Sequence, residues 1–137
     1  MSKSRFESSV KAIPYAQQRV YDMLSDLNNL EKIKDKLPED KVKDLSFDAD
    51  SLKVKSPVGD ISMHIVEREP AKLIKMQTDN SPIPLTLWIQ LLPTGEESSK
   101  MKLTLEAEVN MFIKGIVQKP LTEVVEKIAE ALAMIRY

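Results

Sequence analysis

The sequence predicts an α+β fold in which an antiparallel sheet of about seven strands wraps a long C-terminal helix, in the order strand, two short helices, six strands, helix. Three observations carry that expectation. From Leu45 to Val109 apolar residues recur with period two, the pattern of strands with one buried face. From Asn110 to Ile135 they recur every three to four residues, as in one helix of about 37 Å at 1.5 Å per residue. Pro, Gly, Asp and Asn fall between the alternating runs, where turns need them. A sheet with one apolar face and a helix with one apolar stripe bury both by lying on each other.

Phe6, Val10 and Ala12 alternate loosely and predict a first strand near a sheet edge. Pro14 stands where a helix begins. Val20, Met23, Leu24, Leu27, Leu30 and Ile33 then predict two helices, about 14–25 and 28–36, interrupted at Asp26-Leu27-Asn28-Asn29 and closed by Leu37-Pro38. Leu45 and Phe47 precede a turn at Asp48-Ala49-Asp50, and Leu52 and Val54 precede one at Ser56-Pro57-Val58-Gly59. Ile61, Met63 and Ile65 form the inner side of a strand that Glu69-Pro70 ends, and Leu73 to Thr78 form the next. Asp79 to Pro84 is a proline-stiffened connection, followed by Leu85, Leu87, Ile89 and Leu91. Pro93-Thr94-Gly95-Glu96-Glu97 predicts a turn, and Met101, Leu103, Leu105, Ala107 and Val109 the clearest strand.

Asn110 is the expected N-cap of the last helix. Its stripe is Val117, Leu121, Val124, Ile128, Leu132 and Ile135. Pro120 cannot bond the Ile116 carbonyl, which predicts a kink or break between Gly115 and Pro120.

A chain of 137 residues fits a single domain, 1–137. Twenty basic against 21 acidic residues leave a net charge of −1, which argues against nucleic acid or an anionic membrane as the main partner, since both need a basic field. The absence of cysteine removes disulfides, thiol chemistry and zinc-thiolate sites. No run approaches the ~20 apolar residues of a membrane span, so stable membrane insertion is not expected, and a cytoplasmic location is. Three glycines cannot build a phosphate cradle, and neither a metal nor an organic cofactor is expected.

The element order resembles that of the START/Bet v1-like superfamily, also called SRPBCC, whose fold is the helix-grip. The stretch Ile13 to Leu27, with its proline after the first strand and its Ser25-Asp26-Leu27 end, is similar to that family's first helix. Val66-Glu67-Arg68-Glu69-Pro70 resembles a strand end of many members, and Leu92-Pro93-Thr94-Gly95 their penultimate hairpin. The resemblance covers essentially the whole chain. It implies a cavity between sheet and last helix that holds a lipid, sterol, polyketide or other apolar molecule. Some relatives are polyketide cyclase-like enzymes or hydrolases, and some are co-chaperones.

Three functions follow as expectations. The first is binding, in transport or sensing, of a small hydrophobic ligand, with Met63, Ile65, Leu85, Leu87, Ile89, Met101, Leu103 and Leu105 facing Val117, Leu121, Val124 and Ile128. An inner surface collapsed tight, with no pocket of about 300 Å³, would remove both this expectation and the next. The second is catalysis by a cavity carboxylate. Glu67 shares the alternation of Ile61, Met63 and Ile65, so it is the weak candidate, with Tyr15 or Tyr21 as helpers; solvent at the strand end is the commoner fate of such a residue. The third is a protein-interaction module. The single His64 falls on the outer face, where a surface role outweighs a catalytic one. Trp88, on an outward face, is a candidate homodimer contact.

Overall fold

The computed structural model describes residues 2–36, 43–56, 59–79 and 83–137. Strands β1 (Ser2–Glu7) and β2 (Lys11–Ile13) open the chain, followed by α1 (Gln17–Leu24), a 3₁₀ turn (Leu27–Asn29), α2 (Leu30–Ile33) and a second 3₁₀ turn (Lys34–Lys36). Six strands follow: β3 (Lys43–Phe47), β4 (Ser51–Ser56), β5 (Gly59–Glu69), β6 (Leu73–Thr78), β7 (Leu85–Gly95) and β8 (Ser98–Val109). Helix α3 (Met111–Ala133) comes last. The sheet is antiparallel, ordered β1-β8-β7-β6-β5-β4-β3, with β2 also pairing β8. The predicted closures at Leu37-Pro38, Pro57-Val58 and Asn80-Ser81-Pro82 lie outside the described residues.

The expected single first strand is two. Buried Ser8 makes the break without losing contact with β8: its N–H donates to the Leu103 carbonyl at 2.9 Å, and its hydroxyl accepts from the Leu103 N–H at 2.9 Å. The side chain replaces a ladder partner, so the strand jogs while its backbone stays satisfied. The turn expected at Pro93 to Glu97 is shorter, because β7 continues with an irregular register through Pro93 to Gly95. Only Glu96-Glu97 form the turn.

Between β5 and β6 the N–H of Lys72 donates to the Glu69 carbonyl at 2.9 Å. Pro70 supplies the fixed φ of the second turn position. Ala71 takes φ 67° at the third, a left-handed conformation usually left to Gly.

Asn110 caps α3 as its sequence position predicts, its side-chain oxygen accepting from the Ile113 N–H at 2.8 Å. Of the kink or break expected between Gly115 and Pro120, the break does not occur: the helix runs on through Pro120. Leu121, Val125, Ala129 and Leu132 are buried on the sheet, and that burial carries the helix past the one missing bond. Ile116 lies on the exposed side, where water can satisfy its carbonyl.

The core joins the inner sheet face to α1 and α3, with Val20, Ile74, Leu103, Ala107 and Ala129 fully buried. Helix α3 rests chiefly on β8, β1 and β2. Its far end is held by Tyr137, whose hydroxyl donates to the Leu132 carbonyl at 2.6 Å. The Tyr137 ring meets Tyr15 edge-on at 5.9 Å, and the Arg19 guanidinium both donates to the Tyr137 main-chain oxygen and lies 5.1 Å from the Tyr15 ring centre.

Candidate ligand-binding cavity

Because α3 leans on the β1-β8-β2 side, a cavity of about 160 Å³ remains between it and the rest of the sheet. The sheet contributes alternate residues of β3 to β8, including Leu52, Ile61, Met63, Met76, Leu87 and Leu103. Period-two alternation puts these on one face. The floor is closed by Leu121, Val124, Val125, Ile128 and Leu132 of α3, which recur at one-turn spacing along a single face. The third side is Met23, Leu24, Leu27 and Leu30 of the two short helices. Leu30, Leu45, Leu52, Val54, Val124 and Ile128 are only half-buried, and they mark the side on which the cavity opens.

Among the described residues two polar ones reach the wall, Asp26 and Asn29. Both have local partners. Asp26 caps the 3₁₀ turn by accepting from the Asn28 N–H at 3.0 Å, and the Asn29 amide donates to the Met23 carbonyl at 2.8 Å. The interior is therefore apolar, and what enters it gains by leaving water rather than by polar contact. Among the described residues no three His, Asp or Glu side chains converge as metal ligands.

Of the twelve residues expected to face the ligand, nine line this cavity: Met63, Leu85, Leu87, Ile89, Leu103, Leu105, Leu121, Val124 and Ile128. Ile65, Met101 and Val117 are buried in the surrounding core instead. Alternation assigns a face but not a distance along the strand, so it cannot separate cavity wall from filled core. The sequence reading also omitted the whole α1–α2 wall. Its stripe of Met23, Leu24, Leu27 and Leu30 was visible, but nothing local says what that stripe faces. The inner surface is not collapsed, but the volume is about half of the 300 Å³ expected for either binding or catalysis.

Glu67 is exposed and outside the cavity wall. A bulge explains it. Ile65 pairs with Met76, but Glu67 pairs with Lys75, so β5 spends two residues where β6 spends one. Facing residues of an antiparallel pair share a side, and Lys75 lies on the outer face beside Trp88. One extra residue flips every side chain beyond it. The same flip turns Arg68 back toward the α1 end. There its guanidinium donates to the Ser25 carbonyl at 3.1 Å and to the Asp50 carboxylate at 2.7 Å.

Tyr21 is buried but lines no part of the cavity, and Tyr15 is spent on Tyr137 and Arg19. His64 sits half-exposed on the outer face with its Nδ1 against the Asp79 carboxylate. Trp88 is also on the outer face, its ring flanked by Arg5 at 5.7 Å and Lys75 at 5.5 Å.

No protein-family model and no curated protein sequence matches the chain. Solved structures do match in fold. Norcoclaurine synthase from Thalictrum flavum, in complex with dopamine and hydroxybenzaldehyde, superposes with a TM-score of 0.73 at 17% identity, covering 96% of this chain and 85% of that one. A START superfamily protein from Mycobacterium smegmatis gives 0.71 at 14% identity, covering 96% and 94%. A Thermus thermophilus protein gives 0.68 at 18%, covering 95% and 94%. With an antiparallel sheet closed on one long C-terminal helix, the chain has the Bet v1/START-like helix-grip fold.

Proposed function

We propose that the protein binds a small, largely apolar organic molecule in the space between sheet and α3. One observation carries the reading: a cavity persists in the middle of the core, and among the described residues its wall is apolar apart from Asp26 and Asn29. Packed interiors rarely keep voids, because each forfeits dispersion and transfer energy. Proteins of this fold commonly hold hydrophobic ligands, and one solved neighbour holds two single-ring compounds.

The volume limits the ligand. An aliphatic cavity of about 150 Å³ accepts benzene, whereas drug-sized molecules need roughly 300 Å³ or more. A ring-sized compound or a short alkyl segment fits the cavity as it stands. A sterol or a whole lipid chain requires α3 to move outward. Among the described residues no ionisable group lies deep in the cavity, and the wall supports retention more than chemistry.

Native mass spectrometry of the protein purified under non-denaturing conditions tests this. The expected spectrum carries a second species heavier by one small organic molecule, which solvent denaturation removes. A single apo mass that also stays single after incubation with excess toluene would remove the binding reading.

A further inference from the structure

The first turns of α3 carry an apolar surface that the fold does not use. Met111 is 88% exposed, Phe112 76% and Ile116 59%. On the opposite side of the same turns Ile113 packs against the core and Val117 is buried. The segment is thus apolar on both faces, although an amphipathic helix needs only one. Scattered exposed apolar residues are ordinary; three within two turns of one helix form a patch. Gly115 lies among them and leaves the surface between Phe112 and Ile116 without a polar side chain.

Charge along the helix is divided at the same place. Residues 111–122 include Lys114 and Lys119 and no acid, whereas Glu123, Glu126 and Glu130 all follow Pro120. Both lysines are exposed. Glu108, the nearest acid before the helix, lies 4.0 Å from Lys3. The apolar tip therefore carries two exposed lysines and no acid of its own, on a chain whose net charge is −1 and with Glu123 one turn beyond Lys119.

We infer that this tip of α3 docks the protein peripherally on an anionic lipid surface. A stable protein contact buries about 800 Å² per partner, and three side chains on a convex helix end offer only a few hundred. A bilayer interface asks for no complementary shape. It accepts protruding Met, Phe and Ile side chains to a depth of about 5–10 Å while lysines meet the headgroups. The tip is also continuous with the cavity, because Pro120, one turn beyond Ile116, is part of its wall. Docking does not require the cavity to be filled, so it stands or falls separately from ligand binding.

Flotation with vesicles of phosphatidylcholine alone, or of phosphatidylcholine with phosphatidylserine, tests the inference on the full chain. Wild type is expected to float with the mixed vesicles, more weakly with phosphatidylcholine, and less as salt rises. Phe112→Ser combined with Ile116→Ser is expected to stay at the bottom, while Lys114→Gln with Lys119→Gln loses roughly tenfold or more on mixed vesicles only. All four side chains are exposed, so unchanged circular dichroism and melting are expected; Met111→Ser replaces any variant that melts early. Wild type that floats with neither vesicle, or a Phe112/Ile116 variant that floats as well as wild type, overturns the inference. So does a concentration-dependent dimer in sedimentation that the same variant abolishes, which would make the tip an interface between copies.

Discussion

Glu126, in the middle of α3, accepts from the backbone N–H of Ser9 at 2.8 Å and from its hydroxyl at 2.9 Å, bridging the helix to the jog between β1 and β2. The Lys11 ammonium binds the same carboxylate. The jog frees the Ser9 N–H from the sheet, and a residue of the polar helix side takes it up. Together with Tyr137 and Arg19 at the far end, this fixes the C-terminal half of α3 to the sheet and to α1.

The Lys11 bond, then the Ser9 bonds, hold the Glu126 carboxyl down to about 2, against an ordinary value of 4.5. A carboxylate depressed in the folded state adds stability above its unfolded value, and that stability fades as pH falls from about 4.5 toward 2. About a third of the side chain is in solvent, so the contribution is on the order of 1 kcal/mol. Glu126→Gln should lower the urea midpoint at pH 7 and flatten the acid limb of stability between about pH 4.5 and 2. Parallel acid limbs for variant and wild type would contradict it.

A Cβ at Gly115 would meet nothing within 4 Å, so Gly115→Ala should raise stability by about 0.5–1 kcal/mol through helix propensity. Ala71, at φ 67°, occupies a turn position suited to Gly, and Ala71→Gly should also stabilise, by about 0.5–1 kcal/mol after the added chain entropy. Urea unfolding of both variants, with unchanged m-values, is the check.

The unanchored first turns of α3 should open more easily than the rest. Met111, Phe112 and Ile116 are exposed, Gly115 weakens the helix, and Pro120 removes one bond. Amides of residues 111–119 should therefore exchange faster than those of 124–134 under native conditions. Equal protection across Pro120 would count against an opening there.

The fold was readable because its signals are local. Met101 to Val109 alternates without a fault, Asn110 caps where predicted, and the order of elements survives intact. The errors sit where a tertiary contact overrides a local rule. Ser8 satisfies Leu103 and splits a strand, the bulge at Val66 turns Glu67 outward, and the buried stripe of α3 overrides Pro120. For the cavity, the sheet and helix walls were readable as faces. Its depth was not, because alternation puts Met101 and Leu103 on one face and helical spacing puts Val117 and Leu121 on one stripe, without marking which of them meets empty space.

Loss and gain of volume should separate wall from core. Met101→Ala, in the filled core, should cost about 2–5 kcal/mol. Val124→Phe points a larger side chain from the half-buried floor into existing space, and should change stability by less than about 1.5 kcal/mol while filling the cavity.

The most direct test of an open apolar cavity is a benzene titration followed through the methyl resonances of wild type and Val124→Phe. An open cavity gives saturable shifts concentrated on wall residues such as Met63, Met76, Leu103 and Val125, with Ile13 and Met101 in the filled core unmoved, and no saturation in Val124→Phe. Shifts absent from the wall, or identical in the variant, would contradict it.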